Sequence, residues 1–408
     1  MRENPTENLR QIFDQYFLHN SGSLKPIKDR KGCALTVFKQ LSSFSNLLEA
    51  FSKAAQGKRR KPAVVAFESG LEPELLLLSQ ELRSGTYRPG PYRAFKIYDP
   101  KERTISAAPF RDRVVHHALC NLIEPLFEKT FVFDSYANRV GKGTHRGIRR
   151  CHKYLRQYRY VLKADIRKYF PSIDQTILKQ LIADKIHCKQ TLDLAFLILD
   201  NSNPQEEVLE YFEGDGLFTP HERRRGLPMG NLTSQFFANI YLSPLDHFVK
   251  ENLRLPYVRY VDDFVLFSND RTELEAARQR IADFIGQHLR LRLHPKKTQI
   301  SPCEKGITFL GQRVFRTHRL LRKPNVRRFY KRLRKRLRDF RNGKLHPDKL
   351  EAQLNSWLGH AKQADTHRLR EKILRQLVFE ESLNVVKAPN GAWKVLELPR
   401  KQKPGKDS

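Results

Sequence analysis

The stretch Tyr257-Val258-Arg259-Tyr260-Val261-Asp262-Asp263-Phe264-Val265-Leu266-Phe267-Ser268 decides the fold. Tyr257 to Tyr260 and Phe264 to Phe267 are strand-forming runs, with Asp262 and Asp263 between them. Adjacent carboxylates repel, so holding two inside an apolar hairpin is costly unless cations compensate. The bland alternative is a hydrated hairpin turn. A third acid, Asp165, ends the apolar run Tyr160 to Ala164, read as a buried strand. Its bland alternative is a helix cap. Strand ends carry acids from distant sequence to one rigid sheet edge. Magnesium prefers hard oxygen ligands and needs few from protein. Two such ions about 3.5–4 Å apart can activate a hydroxyl and stabilise a leaving pyrophosphate.

The composition fits a polyanionic partner. Among 408 residues, 76 Lys and Arg face 44 Asp and Glu, a net charge of +32. Such a surplus opposes compaction until something neutralises it, and nucleic-acid phosphates do so with release of counterions. A basic protein without nucleic acid, or one on an anionic membrane, is the competing class. At 39% hydrophobic residues the chain can build a core, which excludes a wholly disordered protein. No stretch has the apolar length to cross a bilayer. Met1 to Arg10 is polar and lacks a signal-peptide core. Cys33, Cys120, Cys151, Cys188 and Cys303 are scattered, without paired spacing for zinc, and read as free thiols in a reducing cytoplasm.

Outward from the two acids, helical spacing predicts helices over 37–56, 71–84, 112–127, 174–200, 233–252 and 272–290. A basic run, Lys58-Arg59-Arg60-Lys61, is ended by Pro62. A hairpin is predicted at Tyr92–Ile97 and Thr104–Ala107, turning at Asp99-Pro100-Lys101. Residues 201–225 shift from acidic to Arg-rich and read as a surface insertion. Gly226-Leu227-Pro228-Met229-Gly230 is turn chemistry. Ile307 to Val314 reads as one strand. From Arg319 to Arg341 twelve Lys or Arg face a single acid, Asp339, with Val326, Tyr330, Leu333, Leu337 and Phe340 at helical spacing. That predicts an amphipathic helix whose basic face contacts phosphates rather than water alone. Leu350 to Leu358 and His367 to Phe379 complete a small helical unit.

Tyr260-Val261-Asp262-Asp263 resembles the tyrosine-x-aspartate-aspartate box of reverse transcriptases, and Lys163-Ala164-Asp165-Ile166-Arg167-Lys168-Tyr169-Phe170 resembles their first carboxylate motif. The resemblance implies catalytic roles for Asp165, Asp262 and Asp263. These three, with the Ile166 carbonyl, would hold two Mg2+ ions, with Mn2+ as a substitute. It implies that Phe170 excludes a ribose 2′-hydroxyl; the bland alternative is a core phenylalanine. Gly226 to Gln235 resembles the next motif, which packs on the incoming nucleotide and implicates Met229 and Gly230. Common members carry Gln where Met229 stands and Pro where Gln235 stands. The form seen here resembles reverse transcriptases of diversity-generating retroelements, whose cDNA carries errors at adenines. Met229 and Gln235 are therefore the candidate fidelity residues. Losing a polar restraint there would loosen discrimination, which rests on buried polar contacts.

Gly85 to Arg93 and Lys101 to Ser106 resemble the fingers of the same subfamily. Arg103 and Arg111, with Lys101 as a weaker candidate, would clamp the nucleotide triphosphate, since an Arg fork suits phosphate. An exposed hairpin Arg is the alternative for each. Phe309-Leu310-Gly311 resembles the primer grip. Lys296 or Lys297 is a candidate proton donor to pyrophosphate, although a plain surface lysine is the favoured reading. Ser356 to His360 and Ala364 to His367 resemble the end of the thumb.

The implied architecture is α+β, a right-hand polymerase with fingers, a palm built on an antiparallel sheet and a helical thumb. The expected divisions are an N-terminal extension 1–36, fingers 37–158, palm 159–317, thumb 318–380 and a mobile tail 381–408. Arg327, Arg328, Lys331, Arg334, Lys335 and Arg338 would track the nucleic-acid backbone. Expected partners are a template RNA and its cDNA duplex, deoxynucleotides, and a small basic barrel-forming accessory protein, with no membrane. The short tail argues against an appended endonuclease. Two rival readings stand: a reverse transcriptase of a phage-defence, retron or group II intron system, and a catalytically inactive RNA-binding protein on a polymerase fold.

Overall fold

The computed structural model describes residues 37–98, 102–203, 205–379, 384–387 and 393–396. The extension 1–36 with Cys33, the turn Asp99-Pro100-Lys101 and most of the tail lie outside these described residues. The chain divides into two compact units, Met1–Gly143 with Leu162–Ile300 and Thr144–Val161 with Ser301–Ser408. This division follows compactness; fingers, palm and thumb are a functional one.

In the first unit the helix Phe44–Ala55 begins at Ser43, whose hydroxyl accepts from Asn46 N–H, and turns Leu47, Ala50, Phe51 and Ala54 inward. Pro62, expected only to end the basic run, opens a further helix, Pro62–Ser69, where its missing N–H costs nothing. The helix Leu71–Ser84 follows. Strands β1 (Arg93–Ile97) and β2 (Arg103–Ala107) form the expected antiparallel hairpin, with Arg93 opposite Ala107. The helix Phe110–Glu128 then leads toward the central sheet.

That sheet has the order β4-β5-β3-β6, with β3 Tyr160–Asp165, β4 Tyr257–Tyr260, β5 Asp263–Ser268 and β6 Gln299–Pro302. β4 and β5 are antiparallel, and Tyr260 pairs with Asp263. The turn is therefore Val261-Asp262, and Asp263 is the first residue of β5 rather than part of the turn. Because β5 lies beside β3, the end of one strand and the start of the other bring the three acids together.

Several expected helices are broken. Residues 174–200 form two, Gln175–Ala183 and Lys189–Asp200, with no Gly or Pro to mark the break. Residues 233–252 form Leu232–Tyr241, a short turn Ser243–His247 and a π-helical turn Phe248–Leu253. Pro244 lacks the N–H that would continue the ladder. The expected surface insertion 201–225 is anchored: the Arg223 side chain is buried against Asp174 and Asp215, and Glu210 lies against Arg167 and Arg292.

In the second unit the amphipathic helix Thr144–Gln157 buries Ile148, Cys151, Tyr154 and Leu155. Ile307 to Val314 is not one strand but a hairpin, β7 (Ile307–Phe309) and β8 (Gln312–Val314), extended by β9 (Arg319–Leu321). Leu310 and Gly311 both hold positive φ, +47° and +84°, as a two-residue hairpin turn of the primed kind requires. The basic helix accordingly starts at Lys323, not Arg319, and runs to Arg341. It packs Phe329, Leu333 and Leu337 against Leu350, Leu354 and Leu358 of the helix Pro347–Ala361 and Ile373 and Leu377 of the helix His367–Phe379. Within the tail, β10 (Asn384–Lys387) pairs with β11 (Trp393–Leu396), and Asn355 bonds the Trp393 main chain in both directions at 2.7 and 2.8 Å. No described helix is long and apolar enough to cross a membrane. Cys120, Cys151, Cys188 and Cys303 are buried, and none is in a disulfide among the described residues.

Candidate active site

Alternation along β3 puts Lys163 and Asp165 on one face. Beyond the strand, Ile166 N–H donates to the Asp262 carbonyl at 3.3 Å, which ties the first acid to the turn carrying the second. His294 N–H donates to the Asp165 carbonyl at 2.7 Å, and Arg167 N–H to the Arg292 carbonyl at 2.9 Å. The segment after Leu293 is thereby held alongside, and Lys297 Nζ reaches Asp165 Oδ1 at 2.7 Å. Lys163 Nζ lies 3.4 Å from Asp263 Oδ1. That oxygen is buried and accepts no hydrogen bond among the described residues.

These carboxylates sit against their electrostatic preference. Burial, then repulsion from Asp165, pushes Asp262 up to about 6. Burial also pushes Asp263 up to about 6, helped by Asp165 and Asp262 and opposed by Lys163. Among the described residues no three acidic, His or Cys side chains form a finished metal cage. Magnesium does not need one, because it keeps waters and takes one or two carboxylates plus substrate phosphates. A buried carboxylate oxygen without a hydrogen bond among the described residues, and two acids whose charge is disfavoured first by burial and then by Asp165, fit a hard divalent cation. Lysine ammoniums supply the positive charge here.

This predicts a pH signature. A folded pKa raised above its unfolded value of about 3.8 means that the native state binds the extra proton between roughly pH 4 and 6. The contribution to stability then falls as pH rises through that window. Asp263→Asn removes the titration. In metal-free buffer the variant should therefore gain stability relative to the wild type as pH rises from 4 to 7, and magnesium should raise the melting temperature of the wild type more than that of the variant. Parallel denaturation curves at all pH values would contradict this.

The turn itself is held by an unforeseen clamp. Arg259 on β4 is fully buried; its Nε and Nη2 bond Asp246 Oδ1 and Oδ2 at 2.6 and 2.5 Å. Its Nη1 donates to the Val261 carbonyl at 3.0 Å and to Asn239 Oδ1 at 3.2 Å. Tyr257 hydroxyl donates to Asp246 Oδ1 at 2.9 Å. Val261 holds φ of +58°, a strained conformation for a β-branched residue.

Gly226 to Gln235 joins two other elements. Leu227 N–H donates to the Phe170 carbonyl at 3.0 Å, and Ser106 N–H on β2 donates to the Met229 carbonyl at 2.9 Å. Asn231 side chain accepts from Ala108 N–H and donates to the Ser106 carbonyl at 3.1 and 2.8 Å. Gly230, at φ +116°, lies so close to β2 that an added Cβ would meet Ile105 Cγ2 at 2.7 Å. Phe170 and Met229 are half-buried, and Gln235 is exposed on its helix. Arg103, first in β2, is close enough to Asp262 to draw its pKa down.

Other expected residues fall differently. Arg111 is engaged by Glu81 at 2.9 Å and Glu74 at 3.5 Å. Two carboxylates thus occupy its fork in this structure. Lys101 lies outside the described residues. Lys296 is exposed. Lys297, favoured as a plain surface lysine, instead pairs with Asp165. In the second unit Phe309 is fully buried at the base of its hairpin. Arg327, Lys331, Arg334, Lys335 and Arg338 are exposed, whereas Arg328 is half-buried and bonds Asn325 Oδ1 at 2.6 Å. The reading from sequence missed Lys163 and Arg259. The two-residue spacing to Asp165 signals the first, and a lone charge in an apolar strand signals the second.

A profile of the reverse transcriptase (RNA-dependent DNA polymerase) family matches residues 98–314. The chain is 28% identical over 291 residues to protein YkfC of Escherichia coli (strain K12), covering 61% of this chain and 73% of that protein. It is 23% identical over 325 residues to the group II intron-encoded protein LtrA of Lactococcus lactis subsp. cremoris, covering 63% and 52%. It is 20% identical over 341 residues to the putative COX1/OXI3 intron 2 protein of Saccharomyces cerevisiae, covering 68% and 38%. The chain thus spans about half of LtrA and less of the yeast protein.

Proposed function

The chain belongs to the reverse transcriptase (RNA-dependent DNA polymerase) family, and from that premise we propose that it adds deoxynucleotides to a primer 3′-hydroxyl on an RNA template at Asp165, Asp262 and Asp263. The observation that carries this reading is the junction of β3 with the β4–β5 turn, where two carboxylates near pKa 6 meet a third. Asp165, Asp262, Asp263 and the Ile166 carbonyl would hold two Mg2+ ions, or Mn2+, which would supply positive charge at the primer hydroxyl and at the leaving pyrophosphate. Arg103 meets the triphosphate. Phe170, tied through its carbonyl to Leu227, blocks a 2′-hydroxyl. Lys297, paired with Asp165 at 2.7 Å, is the candidate proton donor to the leaving pyrophosphate. Positioning and charge supply most of the rate. Phe309, Leu310 and Gly311 grip the primer, and the exposed cations of the helix Lys323–Arg341 follow the duplex. Primer extension on an RNA template with deoxynucleotides and magnesium tests the whole reading; absence of extension would favour an inactive RNA-binding protein.

The finer reading is mutagenic cDNA synthesis that diversifies a target gene, with a small basic barrel-forming accessory protein. Its support is Met229, an apolar residue whose main chain is bonded to β2. Met229→Gln should lower misincorporation opposite template adenine several-fold with little change at other bases, read by sequencing the cDNA. An unchanged error spectrum rejects the idea. The likeness to LtrA favours a second reading, intron-type reverse transcription, and faithful cDNA copied from an intron RNA would select it.

A further inference from the structure

On the helix Thr144–Gln157 the residues Arg149, His152, Lys153 and Arg156 recur at i, i+3, i+4 and i+7, and so share one face. With Thr317 and Arg319 they line a cavity of about 400 Å³ within the second unit. Its only acid is Asp365, whose carboxylate accepts from the Arg319 main-chain N–H at 2.8 Å. His152 and Arg156 are fixed through the Arg316 carbonyl, at 3.2 and 3.1 Å. Arg149 and Lys153 are exposed and make no hydrogen bond or ion pair among the described residues. Arg319 Nε is buried without a hydrogen-bond partner among them.

A cluster of like charges with one carboxylate is costly unless an anion enters. The four helical positions span about 10 Å, more than one phosphate group occupies, and a strand of linked phosphates matches that length. We propose that this cavity is a phosphodiester-binding site for an RNA strand, additional to the basic helix Lys323–Arg341. The proposal rests on the reverse transcriptase reading only for its choice of RNA. Arg149 and Lys153 act as point charges, while Arg156 and His152 shape the cradle.

The experiment measures RNA affinity of the full chain against salt concentration. Each phosphate contact contributes about 0.7–0.9 to the slope of log affinity against log salt. Arg149→Gln/Lys153→Gln should make the slope shallower by about 1.5 and weaken binding roughly tenfold near 0.1 M salt. Arg149→Lys/Lys153→Arg, which keeps the charge, should restore both. Arg60→Gln/Lys61→Gln, an equal loss from an exposed run, should leave the slope unchanged. An unchanged slope in the first variant, or an equal change in the control, overturns the proposal. So does a wild type whose cavity binds inorganic phosphate, seen as loss of phosphate-induced thermal stabilisation in Arg149→Gln/Lys153→Gln, while RNA affinity stays equal. Because binding is the readout, absence of polymerisation would refute the enzymatic reading without altering this result.

Discussion

Asp262→Asn should lower nucleotide addition by about three orders of magnitude or more, some 4 kcal/mol of lost transition-state stabilisation. The turn and its hydrogen bonds survive, since Asn is isosteric and the Asp262 carbonyl still accepts from Ile166 N–H. Asp262 is destabilised in its charged form by burial and by Asp165. The variant should therefore be at least as stable as the wild type in metal-free buffer near pH 7.5. Loss of activity without loss of stability is the result that assigns chemistry to this carboxylate. Full activity in single-turnover primer extension would remove Asp262 from the mechanism.

The second large effect is expected 13 residues from Asp246, at Arg259. Burial disfavours its charge, but the Asp246 pair more than compensates and holds it protonated. Arg259→Met leaves the Asp246 carboxylate buried without its cation, which costs about 3–5 kcal/mol. In a unit of this size the melting temperature should fall on the order of 10 °C. Adding Asp246→Asn removes the stranded charge while keeping an acceptor for the Tyr257 hydroxyl. Most of the stability should return. Activity should not, because the Val261 carbonyl still lacks its donor and the strained turn carrying Asp262 is no longer held. A tenfold or greater deficit in kcat, with KM for deoxynucleotide little changed, separates this positioning role from a structural one. If the double variant recovers kcat together with stability, Arg259 serves folding alone.

Much of this site was legible one residue at a time. The apolar runs around Asp262 and Asp263 and the run ending at Asp165 are local patterns, and the strands formed where alternation and β-propensity said they would. The hairpin Arg93–Ala107, the helix Phe110–Glu128 and the basic helix have the same origin. Breaks within 174–200, the hairpin hidden in Ile307–Val314 and the exact turn at Val261-Asp262 were not, because each depends on partners elsewhere in the chain. The helix Pro62–Ser69 was not expected, because proline both ends and begins helices and only the following packing decides which.

The sequence by itself determined the chemistry available here: three acids at strand ends, an aromatic five residues after the first, and an excess of cations. Side-chain type and local period are written in the chain directly. The tertiary structure alone decided which charges meet. Lys297 reached Asp165 across 132 residues and Arg111 was taken by glutamates, while Arg259 was buried under the turn it holds. Electrostatic and hydrogen-bond energies depend on distance and burial, and neither is set until strands remote in sequence are aligned.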